Sequence, residues 1–299
     1  MGFDIKSGLT RVRASQPFNW LATSVGRACL GSSSEWLVKH LPRSGTVSAA
    51  LPNGRTLRLR SRGDDWVSNQ VFWRGWSGYE PESTPLFYGL AARSSVTLDL
   101  GAHVGFYALL AGHANPAGRV YAFEPMPVTF ARLRANIALN GLPNVVAVNS
   151  AVGGAKGVAE FYHGETDIPC SCGLSREIFA PGSEVNSFEV LVTTVDDLVR
   201  EEGLRGVGLV KIDVEGAELD VLRGMAETLR RDRPEVICEV WGGPGPEMLD
   251  FLAEFGYRAY SLEAAGPRPY VGDSREANHL FSAREPEEVL GARGGAQGH

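Results

Sequence analysis

The chain has 299 residues, enough to bury a large core in one sizeable domain with an appendage or in two small ones. Its formal net charge of −6 argues against a general nucleic-acid binder, which needs a basic surface. No apolar run approaches the roughly 20 residues of a membrane span, and Lys6, Arg11 and Arg13 are not followed by the apolar stretch of a secretory leader, so no membrane or secreted protein is expected.

In chain order, residues 17–41 predict an amphipathic helix with Trp20, Leu21, Val25, Trp36 and Leu37 as apolar candidates. Residues 46–51 and 55–59 flank Pro52-Asn53-Gly54, and Asn-Gly between alternating runs predicts a hairpin. Trp66, Trp73 and Trp76 follow among glycines. Residues 1–78 therefore read as a helix and hairpin cap on the substrate side. Its tryptophans cover either the active site or another subunit, which leaves a homodimer open.

From residue 96 strands alternate with helices, the rhythm of an α/β fold with a mostly parallel sheet and helices on both faces. Strands are expected at 96–100, 120–123, 145–149, 207–212 and 235–240, and 257–262 and 278–283 read as a terminal pair, seven in all. The helix after the second strand carries Phe130, Leu133 and Ile137 on one face and stops at Asn140-Gly141. The helix after the fourth places Val221, Leu222, Met225 and Leu229 at helical spacing, and the next shows Met248, Leu249, Leu252 and Phe255. Residues 153–194 break the rhythm. They read as an inserted strand pair, 157–162 and 188–193, around a loop of a substrate lid. The tail 284–299 reads as flexible, and its last stretch, 291–299, lacks core-forming residues.

Four cysteines in a chain this long do not suggest a disulfide framework. Cys238 sits in an apolar strand and reads as a buried thiol, while Cys29 stands alone. Cys170 and Cys172 lack a second Cys or His pair at finger-like spacing, so no metal is expected there. A cytoplasmic protein fits best.

The chemistry concentrates in three places. Asp99-Leu-Gly-Ala-His-Val-Gly105 has the form D-x-G-x-x-x-G at the end of the first strand. A dinucleotide fingerprint needs G-x-G-x-x-G so that a helix N-terminus reaches a pyrophosphate, and here His103 fills the slot of the middle glycine. S-adenosylmethionine has no phosphate and needs only a tight turn whose backbone passes close to its amino-acid part, which Gly101 and Gly105 provide. Asp99 would hold that polar end directly or through water. Glu124 ends the second strand, where a carboxylate accepts hydrogen bonds from a ribose diol. Asn149-Ser150 ends the third, near the expected adenine edge. Asp213 and Glu215, in Lys211-Ile-Asp-Val-Glu-Gly-Ala-Glu218, sit at the carboxyl end of the fourth strand, where ligands bind in open α/β sheets; Glu218 falls on the following helix as a helix-start charge.

Taken together, the runs 96–107, 121–125, 194–198 and 210–224 resemble the FkbM family of S-adenosylmethionine-dependent methyltransferases, over roughly residues 79–245. The resemblance implies a Rossmann-like class I methyltransferase fold and transfer mostly to hydroxyl oxygens, often in natural-product or glycan biosynthesis. By position it implies cofactor contacts from Asp99, Gly101, Gly105 and Glu124, with Asp213 and Glu215 lining the reaction centre. Gly78-Tyr79-Glu80 resembles the family's short motif ahead of the first strand, which brings Glu80 to the cofactor. The family usually has Asn where this chain has His103. Whether His103 only supports the turn or moves a proton stays open.

The expected reaction is O-methylation of a small hydroxylated molecule, with Asp213, Glu215, His103 and His163 as candidate bases and the acidic pair favoured. His40, His113 and His279 show no clear partner and read as structural or exposed. No third hard-oxygen ligand accompanies Asp213 and Glu215, so no metal site is expected. N- or C-methylation on the same scaffold, or a non-catalytic partner-binding protein, are the alternatives. A nicotinamide oxidoreductase fails on the glycine spacing.

Overall fold

A computed structural model describes residues 41–164, 172–180, 182–272 and 277–290, together with residues 19, 20, 23–25 and 38. The rest of the expected helix over 17–41, Cys29, His40, Cys170 and the tail from residue 291 lie outside the described residues. Two of that helix's expected apolar positions, Trp20 and Val25, are exposed. The chain divides into two compact units, residues 1–81 with 138–141, and residues 82–137 with 142–299.

In the smaller unit, β1 (Ser44–Ala50) and β2 (Thr56–Arg62) pair antiparallel around the Asn53-Gly54 turn. Period-two alternation buries Val47, Ala49, Leu57 and Leu59 on one face. Helix α1 (Trp66–Arg74) follows, its first turn capped by Asp65, whose carboxylate accepts the Ser68 N–H at 2.6 Å. Trp73 is fully buried in this unit and its Nε1–H donates to the Leu41 carbonyl.

The larger unit opens with α2 (Thr84–Ala91) and alternates through β3 (Val96–Leu100), α3 (Phe106–Ala114), β4 (Arg119–Phe123), α4 (Pro127–Asn140) and β5 (Val145–Val148). An insertion supplies β6 (Ala151–Val152), β7 (Gly157–His163), β8 (Cys172–Gly173) and β9 (Asn186–Thr193). Alternation resumes with α5 (Val195–Glu201), β10 (Val207–Ile212), α6 (Glu218–Arg223), α7 (Ala226–Asp232), β11 (Glu235–Glu239) and α8 (Pro246–Ala253). The described chain closes with β12 (Arg258–Glu263), β13 (Gly266–Pro269), β14 (Asn278–Ser282) and α9 (Pro286–Leu290).

The main sheet runs β13-β12-β14-β11-β10-β3-β4-β5, parallel from β11 to β5 and antiparallel at the other end. All seven expected strands are present, and β13 adds an eighth at the edge. Strand alternation assigns the faces. Val96, Leu98, Leu100, Val210 and Ile212 point into one core with Val195, Val221, Leu222, Met225, Leu229 and Leu252 of the later helices. Asp99 and Lys211 point the other way, toward α3: Asp99 accepts from Ala108 N, and Lys211 lies over the Tyr107 ring. Helices therefore cover both faces, as expected. The chain builds outward from β3 in one direction and from β10 in the other, so the topological switch point lies between these two strands.

Three local expectations shift. The buried stripe of α4 is Thr129, Leu133 and Asn136, with Phe130 and Ile137 half-buried, because the two polar residues are hydrogen-bonded to Glu124 and to the Val104 carbonyl. The helix after β10 is two short helices, interrupted at Gly224-Met225, although its four expected apolar residues are all fully buried. The expected inserted pair is present as β7 and β9, which pair antiparallel, but it belongs to a four-stranded sheet, β6-β9-β7-β8.

Candidate active site

The turn after β3 is built around left-handed backbone. Gly101 (φ 85°), His103 (φ 49°) and Gly105 (φ 94°) alternate in that region. Glycine enters it freely, and histidine more readily than most residues, so His103 adopts this backbone at less cost than most side chains would. Gly101 is required twice over: a Cβ there would fall 1.8 Å from the Asp213 carbonyl oxygen. The turn is also tied down. Gly101 N and Ala102 N both donate to the Phe123 carbonyl, and Gly105 N donates to Ala102 O at 2.7 Å. Buried Asp99 accepts the Ala108 N–H at 2.8 Å and so fixes the first turn of α3 to the strand.

Glu124 is buried at the end of β4 and holds the turn from the other side. Its Oε2 accepts the His103 N–H at 2.8 Å, and its Oε1 accepts Met126 N at 2.9 Å and the Thr129 hydroxyl at 2.7 Å. Three of its four lone-pair directions are thus used within the protein, and one on Oε2 remains for a ligand hydroxyl. Burial pushes the Glu124 carboxyl above the usual range, opposed first by the charge of His103. His103 itself has a buried Nε2 with no hydrogen-bond partner.

Beside this turn, Asp213 N donates to the Leu100 carbonyl at 2.9 Å, which joins the carboxyl ends of β3 and β10. Glu215 and Gly216 continue in left-handed backbone, φ 52° and 94°. Strand β8 of the insertion crosses here, since a Cβ on Gly173 would lie 2.6 Å from the Glu215 carbonyl oxygen. Glu218, the first residue of α6, accepts the Gly216 N–H at 2.8 Å. The acids repel one another in a half-dry crevice. Desolvation, then the charges of Asp213 and Glu218, push Glu215 up to about 7. Asp99 is also pushed up to about 7, by burial first, with Lys211 the strongest charge holding it down. Two acids poised near neutrality form a cluster short of positive charge.

The family profile described as the methyltransferase FkbM domain matches residues 99–259, from the acid of the β3 turn into β12. The chain belongs to the FkbM methyltransferase family. Among known proteins, this family member is 28% identical over 271 residues to the 31-O-demethyl-FK506 methyltransferase FkbM of Streptomyces tacrolimicus, covering 81% of this chain and 95% of that protein. It is 30% identical over 195 residues to the 2-O-methyltransferase NoeI of Sinorhizobium fredii (strain NBRC 101917 / NGR234), covering 60% of this chain and 77% of that one. Among solved structures, it is similar to a methyltransferase FkbM from Methylobacillus flagellatus KT at 15% identity and a TM-score of 0.42, covering 73% of this chain and about half, 54%, of that chain.

In this FkbM-family chain, five expected site residues converge on the switch point: Asp99, Gly101, His103, Asp213 and Glu215. Glu124 and Gly105 brace the same turn. Ser150 is engaged elsewhere, its hydroxyl lying 2.9 Å from Ala151 O and 2.8 Å from Leu191 O, where it ties β9 to the end of β5. Asn149 turns back to the Glu124 and Pro125 carbonyls. His163 stacks edge-on against Phe188 in the inserted sheet, with Nδ1 2.7 Å from Gly164 O. Glu80 belongs to the smaller unit and has left-handed backbone, φ 44°. His279 is buried against the Tyr270 ring, and burial lowers its pKa. The expected buried thiol is Cys238, fully enclosed. Sequence reasoning assigned no role to Lys211 or Asn278, although a lysine inside the apolar run Val207–Ile212 was a visible signal. Among the described residues, no helix is long and apolar enough to cross a membrane.

Proposed function

We propose that this chain transfers a methyl group from S-adenosylmethionine to a hydroxyl oxygen of a small metabolite, natural product or sugar. The observation that carries the reading is the acid-rich crevice at the switch point, where the Gly101–Gly105 turn and the Asp213–Glu215 loop meet. The residues there fit the cofactor. Asp99, Asp213 and Glu215 favour a ligand that carries ammonium and sulfonium charge, Glu124 keeps one acceptor for a ribose hydroxyl, and His103 Nε2 awaits a partner. The names of two relatives, a methyltransferase of a 31-O-demethyl compound and a 2-O-methyltransferase, support oxygen as the acceptor.

S-adenosylmethionine, when bound, supplies an electrophilic methyl group and leaves as S-adenosylhomocysteine. The protein's part is to hold the acceptor oxygen in line and exclude water. Glu215 or Asp213 takes the hydroxyl proton as the C–O bond forms and the C–S electron pair moves to sulfur. A base near pH 7 suits this role, and a positioned base contributes on the order of 10²–10⁴ in rate. His103 is the remaining candidate for that proton.

Calorimetry with S-adenosylmethionine, S-adenosylhomocysteine and NAD tests the cofactor, and a screen of labelled methyl transfer onto polyhydroxylated metabolites tests the acceptor. Binding of both sulfur nucleosides and labelling at oxygen are expected. Binding of NAD alone would overturn the assignment, and label appearing only on nitrogen or carbon would replace the acceptor class.

A further inference from the structure

Among the described residues of the larger unit, Lys211 is the only buried lysine or arginine. It occupies a strand position that a leucine would fill without stranding a charge. An ammonium taken out of water is costly unless paired and hydrogen-bonded, so a lysine held here needs a reason. Its surroundings supply one. Nζ donates to Asn278 Oδ1 at 3.1 Å, lies 3.6 Å from Asp213 Oδ2, and sits 5.2 Å from the centre of the Tyr107 ring. Asp99 is its register partner on β3, directly across the ladder on the same face. This charge acts on Asp99 on β3, on Asp213, Glu215 and Glu218 after β10 and on Cys238 on β11, and Asp99 also feels the carboxylates of Asp213 and of Glu124 at the end of β4.

We propose that Lys211 is a positioning residue that acts through two acids: its ammonium, held by Asn278 and Tyr107, supplies the countercharge to Asp99 across the ladder and anchors Asp213 at the mouth of β10. The proposal deepens the methyltransferase reading and rests on it. Lys211 has no exposed surface and does not touch a substrate. Its effect is to set the pH above which the crevice accepts a cationic cofactor. Burial and the neighbouring carboxylates push Asp99 up, and Lys211 is the largest charge opposing them. Without it, Asp99 would take up a proton at higher pH and the crevice would lose negative charge.

The test is the pH dependence of S-adenosylmethionine binding, measured by calorimetry between about pH 5.5 and 9, for the wild type, Lys211→Met and Lys211→Arg. Wild-type binding is expected to weaken on the acid side of a midpoint near pH 7. Lys211→Met should move that midpoint up by about one pH unit, which is about fivefold weaker binding at pH 7 and about tenfold well below it. Lys211→Arg should restore it, and S-adenosylhomocysteine, which lacks the sulfonium charge, should show a flatter profile. A Lys211→Met midpoint equal to the wild type's overturns the proposal, because a lysine that only fills space would alter stability and leave the profile in place. If Lys211→Met does not fold, Asn278→Ala carries the same test, with the midpoint expected to move in the same direction and an unmoved one overturning the proposal. A wild type that binds no S-adenosylmethionine at any pH overturns both this proposal and the methyltransferase reading, whereas binding with unmoved midpoints overturns this one alone.

Discussion

Gly101→Ala is the sharpest perturbation of the turn. The added methyl would lie 1.8 Å from the Asp213 carbonyl oxygen and 2.8 Å from its carbon, against an ordinary contact distance of roughly 3.5 Å. The obstacle is backbone, and that backbone is anchored: Asp213 N bonds Leu100 O, and Ile212 stands in register with Leu100. Relief requires the ends of β3 and β10 to part by more than an ångström. Left-handed backbone at φ 85° costs an alanine roughly 1–2 kcal/mol, overpacking adds about 1–3, and the strained Asp213–Leu100 hydrogen bond about 1 more. A loss of about 3–6 kcal/mol is a large share of the roughly 5–15 kcal/mol that holds a domain folded. Urea unfolding of the two proteins measures it. Gly105→Ala is the internal comparison: its φ is 94°, but its nearest obstacle is the far end of the Leu133 side chain, which can move, so its loss should be smaller. A Gly101→Ala protein within about 1 kcal/mol of wild type, or no worse than Gly105→Ala, would refute the reasoning.

Two further outcomes follow from the buried acids. Glu124→Gln replaces one accepting oxygen by an NH₂ that faces a donor in either orientation, so at least one bond to His103 N, Met126 N or Thr129 is lost. Stability should fall by about 1–3 kcal/mol and S-adenosylmethionine affinity about tenfold, and unchanged unfolding and titration curves would remove Glu124 from the turn. Asp99 is raised from 3.8 to about 7 in the folded protein, so across that window the native state binds more protons than the unfolded one and stability falls as pH rises. The difference amounts to about 3 kcal/mol between pH 4 and 7. Asp99→Asn should flatten the stability profile there by up to that amount, and a variant profile as steep as the wild type's would show that Asp99 is not the titrating group.

The parallel strands were legible because β3, β10 and β11 are short apolar runs that end at turn residues, and a sheet buried on both faces demands such runs. The acids after β10 were legible for a related reason: folding alone gives little cause to place both Asp213 and Glu215 at the mouth of a sheet. What escaped was structure that breaks hydrophobic periodicity. Helix α1 buries Ser68, Asn69 and Gln70 beside Phe72 and Trp73, so no clean apolar face appears in its sequence. Strand β13 is Gly-Pro-Arg-Pro, and its prolines are tolerated because it is an edge strand.

The remaining failures have a location. Reading α4 by its apolar residues chose Phe130 and Ile137 over Thr129 and Asn136, and those two polar residues face inward because Thr129 bonds Glu124 and Asn136 bonds the carbonyl of Val104 in the turn. Lys211 was passed over in β10 for the same reason: pattern reasoning sends a lysine outward, and this one is held inward by Asn278, Tyr107 and the acids around it. Buried polar side chains are kept where their partners satisfy them, and a plain core has little use for such networks. Thr129 and Asn136 lie on α4 and Lys211 on β10, and each is bonded to the β3 turn or to the acids beside it. A crevice built for a charged ligand needs polar groups fixed in a dry frame before the ligand arrives. The positions where hydrophobic periodicity misplaced a side chain in this unit therefore trace the support of that crevice, a pattern expected where function and folding make opposing demands on the same residues.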